Sequence, residues 1–372
     1  MQDVLVVVSA VGLVAIFLAA CGGSSSSGGT TSGAAAASPE DRAVVAAHHF
    51  LQRYVTRDGR VSRLDQGGDT VGEGQAYGML LAAAVGNQKG FDLIWSWTKA
   101  NLRRPDGLIS FLWRDGHVVD PQAASDADVD ASRALLVAAC RFHHPAYRAE
   151  AIALANAIVR VEVGSARFQG RPVLTAGPWA ITPPPITIDP SYFAPASFLA
   201  LRAATKDPSW SGLAESSRAI TSKLMPAPGR LPPDWAHLVG DTPVPIGNPG
   251  DPQSPPGFGF DAVRTLVRFA EDPNPEGRKI AARGWPAFEG ADPTKLPVEH
   301  NLNGKPSGNT LHPVALVAAA GAADAAGHPA ARDGLLDEAE SLDRRSPTYY
   351  GAAWVALGRL FLTTNLLDPT CS

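Results

Sequence analysis

Three short stretches of this chain place carboxylates where they could do acid–base chemistry. In Gly72-Glu73-Gly74-Gln75-Ala76-Tyr77-Gly78-Met79, a glutamate stands between glycines at the start of an apolar run of helical period. The glycines would let the backbone bend and bring a ligand close to it. Burial against the apolar run would raise the Glu73 pKa, as an acid catalyst working near neutral pH requires. The dipole at a helix N-terminus would instead favour the ionised form. The residues alone leave both readings open.

The second stretch, Ala124-Ser125-Asp126-Ala127-Asp128-Val129-Asp130, leads into another apolar run. Helical spacing puts Asp126 and Asp130 on one face, with Asp128 turned away. Ser125 or Asp126 could cap the helix. A calcium loop is the competing reading, but the glycine and distal glutamate of an EF-hand are missing. The third stretch, Gly257-Phe258-Gly259-Phe260-Asp261-Ala262-Val263-Arg264, spaces Asp261 and Arg264 three apart. A helix would put them on one side, and the arginine would keep the aspartate ionised, as a general base needs. A surface ion pair is the ordinary use of such spacing.

The elements that must hold these groups are mostly helical. Apolar runs of helical period predict helices near 41–56, 73–87, 90–103, 126–143, 146–162, 193–205, 209–224, 259–272, 275–286, 309–326, 329–342 and 346–364. In Ser38-Pro39-Glu40-Asp41, a capping serine, a proline suited to the first turn and two acids on the positive helix end mark the start of the first. Strand signals are few, as around Leu108–Trp113. Two Pro- and Gly-rich stretches, 163–192 and 226–258, resist a helical reading, and loops of that length are often functional. Twelve helices with no second hydrophobic core suit an all-α barrel of paired helices with long loops forming a cleft.

Composition narrows the function classes. The formal net charge is −4 over 372 residues, so there is no basic footprint for nucleic acid. Cys21, Cys140 and Cys371 have no metal-ligand spacing, and His48-His49 and His143-His144 lack a third ligand, so no metal and no cofactor are expected. Cys140 reads as a packed thiol, with a Cys140–Cys371 bridge left open for an oxidising compartment. Residues 4–20 are almost wholly apolar, too short for a confident membrane span, and end in Leu18-Ala19-Ala20-Cys21. That ending resembles a bacterial lipoprotein box, which implies acylation of Cys21, although Met1-Gln2-Asp3 lacks the usual basic residue. The expected organisation is a signal peptide over 1–21, a Gly/Ser/Ala-rich tether over 22–38 and one catalytic domain over 39–372. The expected protein is exported and monomeric, either lipid-anchored on the outer face of a membrane in the cell envelope or secreted.

Glu-Gly-Gln-x-Tyr-Gly-Met, Ala-Ser-Asp-Ala-Asp and Phe-Asp-Ala-x-Arg, in this order, resemble glycoside hydrolase family 8. Phe91-Asp92, Trp95-x-Trp97-Thr98, Pro105-Asp106-Gly107-Leu108, Asp189-Pro190-Ser191-Tyr192-Phe193-Ala194-Pro195 and Pro233-Asp234-Trp235 extend the match, though Asp189 stands where that family often has Asn. The resemblance implies an (α/α)6 barrel and an inverting endo-acting cleavage of β-1,4-linked glucan, with chitosan and xylan as alternatives. A non-catalytic glycan-binding protein on the same barrel is a further alternative. It assigns Glu73 as proton donor, Asp261 as base and Asp126 as the carboxylate holding the sugar at the cleaved bond. Arg264 would position Asp261, and Tyr192 would line the same subsite. Asp128 and Tyr77, from the same motifs, are expected among the substrate contacts. For sugar faces, Trp113 and Trp179 lie in loop-like sequence and are the expected aromatic platforms. At least one of Trp95 and Trp97, and Trp354, are expected in the core.

Overall fold

A computed structural model describes residues 37–251 and 253–370. The apolar run at 4–20, Cys21 and most of the 22–38 tether therefore lie outside the described residues, as does Cys371. The chain from Ala37 onward forms one compact unit.

Twelve α-helices are described: α1 Pro39–Tyr54, α2 Gly72–Ala84, α3 Gln88–Asn101, α4 Ser125–Arg141, α5 Pro145–Ile158, α6 Pro195–Thr205, α7 Ser209–Leu224, α8 Val263–Ala270, α9 Pro275–Ala282, α10 Pro313–Ala325, α11 Pro329–Arg345 and α12 Tyr349–Thr363. All twelve predicted helices are present, with ends shifted by a few residues. Ser38 accepts the Asp41 N–H while the Asp41 side chain takes the Ser38 N–H, so the first helix opens on the expected cap.

Packing sorts the helices into two rings. α2, α4, α8, α10 and α12 are buried on nearly every side, α2, α10 and α12 as apolar helices and α4 and α8 with buried charged residues among them. α6 packs on both α4 and α8 as the sixth member of that ring, and α1, α3, α5, α7, α9 and α11 bury one face only. The inner helices pack on one another and on outer partners, as in α2 on α4, α8 on α10, α1 on α12 and α4 on α5. This is the (α/α)6 arrangement. Trp95 and Trp354 are buried in its core as expected, and Trp97 is nearly so. Among the described residues, no helix is long and apolar enough to cross a membrane.

The two stretches that resist a helical reading contain most of the strand structure. β1 Thr70–Val71, β2 Leu112–Arg114 and β3 His117–Asp120 form one small sheet. β4 Arg167–Phe168 and β5 Arg171–Pro172 form a hairpin. β6 Ile186–Ile188, β7 Trp235–Val239 and β8 Thr242–Ile246 form an antiparallel sheet that ties the two long stretches together, Ile188 opposite Ala236. Cys140 is disulfide-bonded, not the packed thiol expected from its apolar surroundings; the other two cysteines lie outside the described residues.

Candidate active site

The inner helices begin at the same end of the barrel. Glu73 lies in the first turn of α2, Asp126 in that of α4, Arg264 in that of α8 and Tyr349 in that of α12. A cleft of about 460 Å³ opens there, lined by Glu73, Asp126, Asp261, Arg264, Tyr192 and Trp179 among others. Residues 188 positions apart in sequence thus face one space.

Arg264 organises the floor. Its side chain is 4% exposed. Nη1 donates to Asp126 Oδ2 at 2.6 Å and to Glu73 Oε1 at 3.3 Å, while Nη2 donates to Asp261 Oδ1 at 3.0 Å. Asp189 Oδ2 stands 3.6 Å from the same Nη2. Because Glu73 and Asp261 both bond one guanidinium, their bonded oxygens cannot stand beyond the range of roughly 6.5–9.5 Å that admits a water molecule in inverting glycosidases. One turn deeper, Asp130 of α4 pairs with Arg268 of α8. The two helices therefore meet through matched i, i+4 ladders, Asp126/Asp130 facing Arg264/Arg268.

The two end carboxyls differ in surroundings. The Glu73 side chain is 18% exposed, and burial pushes its pKa up to about 7, against the opposing pull of Arg264. Desolvation thus outweighs the attraction of the arginine and the Tyr77 hydrogen bond. Tyr77 is buried and donates to Glu73 Oε1 at 2.5 Å. Both bonds to Glu73 fall on Oε1, which leaves Oε2 to carry a proton. The Asp261 side chain is 37% exposed, open enough for water to reach it. Burial also raises the Asp126 carboxyl, which accepts from the Ala127 N–H at 2.8 Å as well as from Arg264.

The motif glycines act differently from expectation. A Cβ on Gly74 would stand 2.6 Å from the Tyr349 hydroxyl, so this glycine seats α2 against α12 rather than admitting a ligand. Gln75 accepts from the Val61 N–H and donates to Thr98 Oγ1 at 2.8 Å, which locks α2 to its neighbours. Neither Ser125 nor Asp126 is the cap residue of α4; Ser125 donates instead to the Thr175 carbonyl at 2.6 Å.

Three expected substrate contacts, Asp128, Tyr77 and Trp113, are not among the residues that line the cleft. Asp128 is fully buried behind the cleft, where it accepts from the Ile109 N–H at 3.0 Å; helical rotation turns it away from Asp126. Tyr77 holds Glu73 instead of lining the cleft. Trp113 is half-buried against Trp97, with ring centroids 5.4 Å apart and Arg60 over its face. Trp179 and Tyr192 do line the cleft, and Trp235 joins them at 6.3 Å from each. Trp235, Arg63, Asp120 and Phe111 are cleft residues that the sequence reading missed as contacts. The one available signal was the Pro-Asp-Trp stretch inside a long Pro/Gly-rich segment.

Asp128 and Glu162 make a second buried acid pair. Both are fully buried, and desolvation raises both carboxyls well above their usual range, each acting on the other. An acid whose folded pKa is raised binds extra protons in the folded state, so its contribution is present at low pH and is lost as pH rises past the ordinary carboxyl range. Thermal unfolding measured from pH 4 to 9 is expected to show a midpoint declining with pH, and a shallower decline in Asp128→Asn. Parallel curves for the two proteins would contradict a raised Asp128 carboxyl.

A helical barrel whose open end gathers carboxylates around one arginine, beneath a wall of aromatic rings, has the outline of a carbohydrate-active protein. Comparison with known proteins makes this specific. The chain belongs to the glycosyl hydrolases family 8, whose family model matches residues 29–251. Asp261 and Arg264 lie just beyond that match and are placed by the structure. A probable endoglucanase from Novacetimonas hansenii is 30% identical over 236 residues, 59% of this chain and 64% of that one. An endoglucanase from Pseudomonas fluorescens is 30% identical over 240 residues, 59% of this chain and 58% of that one. The chain thus spans less than two thirds of the length of these curated relatives. Among solved structures, endo-β-1,4-glucanase CMCax from Acetobacter xylinum superposes with a TM-score of 0.73 at 28% identity, over 86% of this chain and 97% of that one. A β-1,3-1,4-glucanase from Paenibacillus sp. X4 has a TM-score of 0.77 at 19% identity, over 87% of this chain and 92% of that one, a likeness of fold.

Proposed function

We propose that this protein cleaves β-1,4-linked glucan within the chain, with inversion at the anomeric carbon, using Glu73 as general acid and Asp261 as general base. The observation that carries the reading is the pairing of a desolvated Glu73 with a water-accessible Asp261 on the two prongs of one guanidinium. Glu73 gives its Oε2 proton to the leaving glycosidic oxygen. Asp261 takes a proton from the water that attacks C1 from the opposite side. The C1–oxygen bond breaks as the new C1–oxygen bond forms, and solvent exchange restores both protonation states. As Glu73 becomes a carboxylate, Tyr77 and Arg264 hold the charge. Asp126, fixed by Arg264 and its own helix turn, faces the sugar at the cleaved bond. Trp179 and Trp235 present flat faces to the sugar rings.

Incubation with soluble cellulose derivative, mixed-linkage β-glucan, xylan and chitosan tests the assignment, with anomeric proton NMR during the reaction. Reducing ends released from β-1,4-glucan, with the α-anomer appearing first, are expected. Preferential turnover of xylan or chitosan would reassign the substrate within the family. Tight oligosaccharide binding without turnover on any polymer would make it a binding protein.

Export and lipid anchoring through Cys21 belong to the same proposal, as does action as a monomer in the cell envelope. The lipoprotein-like Leu18-Ala19-Ala20-Cys21 and the disulfide at Cys140, which suits an oxidising compartment, support export. The intact mass of protein extracted from membranes decides whether Cys21 carries lipid.

A further inference from the structure

Asp261 lies in the turn that precedes α8, not in the helix, and α8 has no side-chain cap of its own. The first N–H groups of α8 turn back onto the Gly259, Asp261 and Ala262 carbonyls, and the turn itself is held from 27 residues upstream. Asp234 Oδ1 accepts the N–H groups of Gly259 at 3.0 Å, Asp261 at 3.1 Å and Ala262 at 2.7 Å. Its own N–H donates to the Gly257 carbonyl at 2.8 Å, so the same residue grips the turn from both ends. Gly259 is the residue that permits the approach: a Cβ there would stand 2.7 Å from Asp234 Oδ2. N–H groups of a turn need an acceptor as much as those of a helix, and a carboxylate meeting three of them makes charge-assisted bonds.

Resting on the functional reading above, we propose that Asp234 is the positioning residue of the base, the side chain that holds Asp261 at its distance from the sugar. Asp234 makes no contribution to proton transfer itself. It opens β7, whose first residue, Trp235, forms the cleft wall, so one dipeptide registers the aromatic wall against the base. Burial, and next the nearby Asp261 charge, push the Asp234 carboxyl up to about 7, which agrees with a group placed for its acceptor geometry at the expense of its solvation.

The test has one arm that needs no substrate and one that does. In the free protein, hydrogen exchange of the amides of residues 259–262 is expected to quicken in Asp234→Ala and to stay slow in Asp234→Asn, whose amide oxygen can still accept. On soluble β-1,4-glucan, Asp234→Ala is expected to lower kcat on the order of 10²-fold, the scale of a misplaced catalytic group, with KM within threefold. Asp234→Asn is expected to recover most of that loss. In an Asp261→Asn background, Asp234→Ala should cost no more than twofold further, because its effect runs through Asp261. Unchanged exchange in Asp234→Ala would overturn the proposal, as would a loss confined to KM or one that persists undiminished without Asp261. If the wild-type protein hydrolyses no β-1,4-glucan, the functional reading falls, while the exchange arm still decides whether Asp234 holds the Asp261 turn.

Discussion

Glu73→Gln is expected to lower kcat on soluble β-1,4-glucan by about 10³- to 10⁴-fold, with KM changed little. The amide keeps the size of the acid and can still accept the Tyr77 hydroxyl, so the cleft should hold its shape. What it lacks is a proton to give to the leaving oxygen. Substrates with a strongly acidic leaving group need little protonation, so an activated aryl glycoside should lose far less rate than the polymer. The pH profile of the wild type carries the same signature. Glu73 works only when protonated, and burial holds its proton up to about pH 7. Activity should therefore fall as pH rises through about 7. A Glu73→Gln enzyme with the wild-type rate on polymer would remove Glu73 from the mechanism.

The second large effect concerns Arg264, which touches Glu73, Asp126 and Asp261 and stands beside Asp189 and under the Tyr192 ring. Arg264→Leu leaves Asp126, Asp189 and the largely buried Glu73 around an apolar side chain. Removing one partner of a buried ionic network costs roughly 3–5 kcal/mol, so the urea unfolding midpoint at pH 7 should drop clearly. The direction with pH follows from the protons. As pH falls, Asp126, Asp189 and Glu73, all with raised pKa, take up protons and need the cation less, so the deficit should shrink towards acid. Activity should vanish at every pH. Arg264→Lys keeps the charge but loses the two-pronged geometry, so stability should partly return while kcat stays depressed on the order of 10²-fold. Wild-type stability and kcat in Arg264→Leu would show that Arg264 organises nothing.

Several features that position the site could be read along the chain because they are local. The twelve helices announce themselves through periodicity and caps, and Ser38 and Asp41 show how few residues suffice. The relation of Asp126 to Asp130, with Asp128 opposite, follows from helix geometry alone. The same geometry argued against Asp128 as a sugar contact, which motif resemblance had overruled. The pairing of Asp261 with Arg264 is also local, three residues along one turn.

Other features depend on which surfaces meet. Whether Glu73 is a desolvated acid or a dipole-stabilised carboxylate turned on the wall that α4 and α8 build around it. No reading of residues 72–79 contains that wall. Loop sequence likewise did not separate Trp179 and Trp235, which face the cleft, from Trp113, which packs on Trp97. The Asp234 grip on the Asp261 turn depends on β7 being registered against β6.

The order, types and local spacing of the acids, the helix count and the class of chemistry were thus determined by the sequence, since helix periodicity, capping and i, i+4 neighbours act over a few residues. The protonation state of Glu73, the meeting of four acids at one arginine and the choice of aromatic wall were decided only by the tertiary structure. Desolvation and charge coupling are set by groups that the fold brings from far along the chain, as it brings Arg264 to Glu73 across 191 positions.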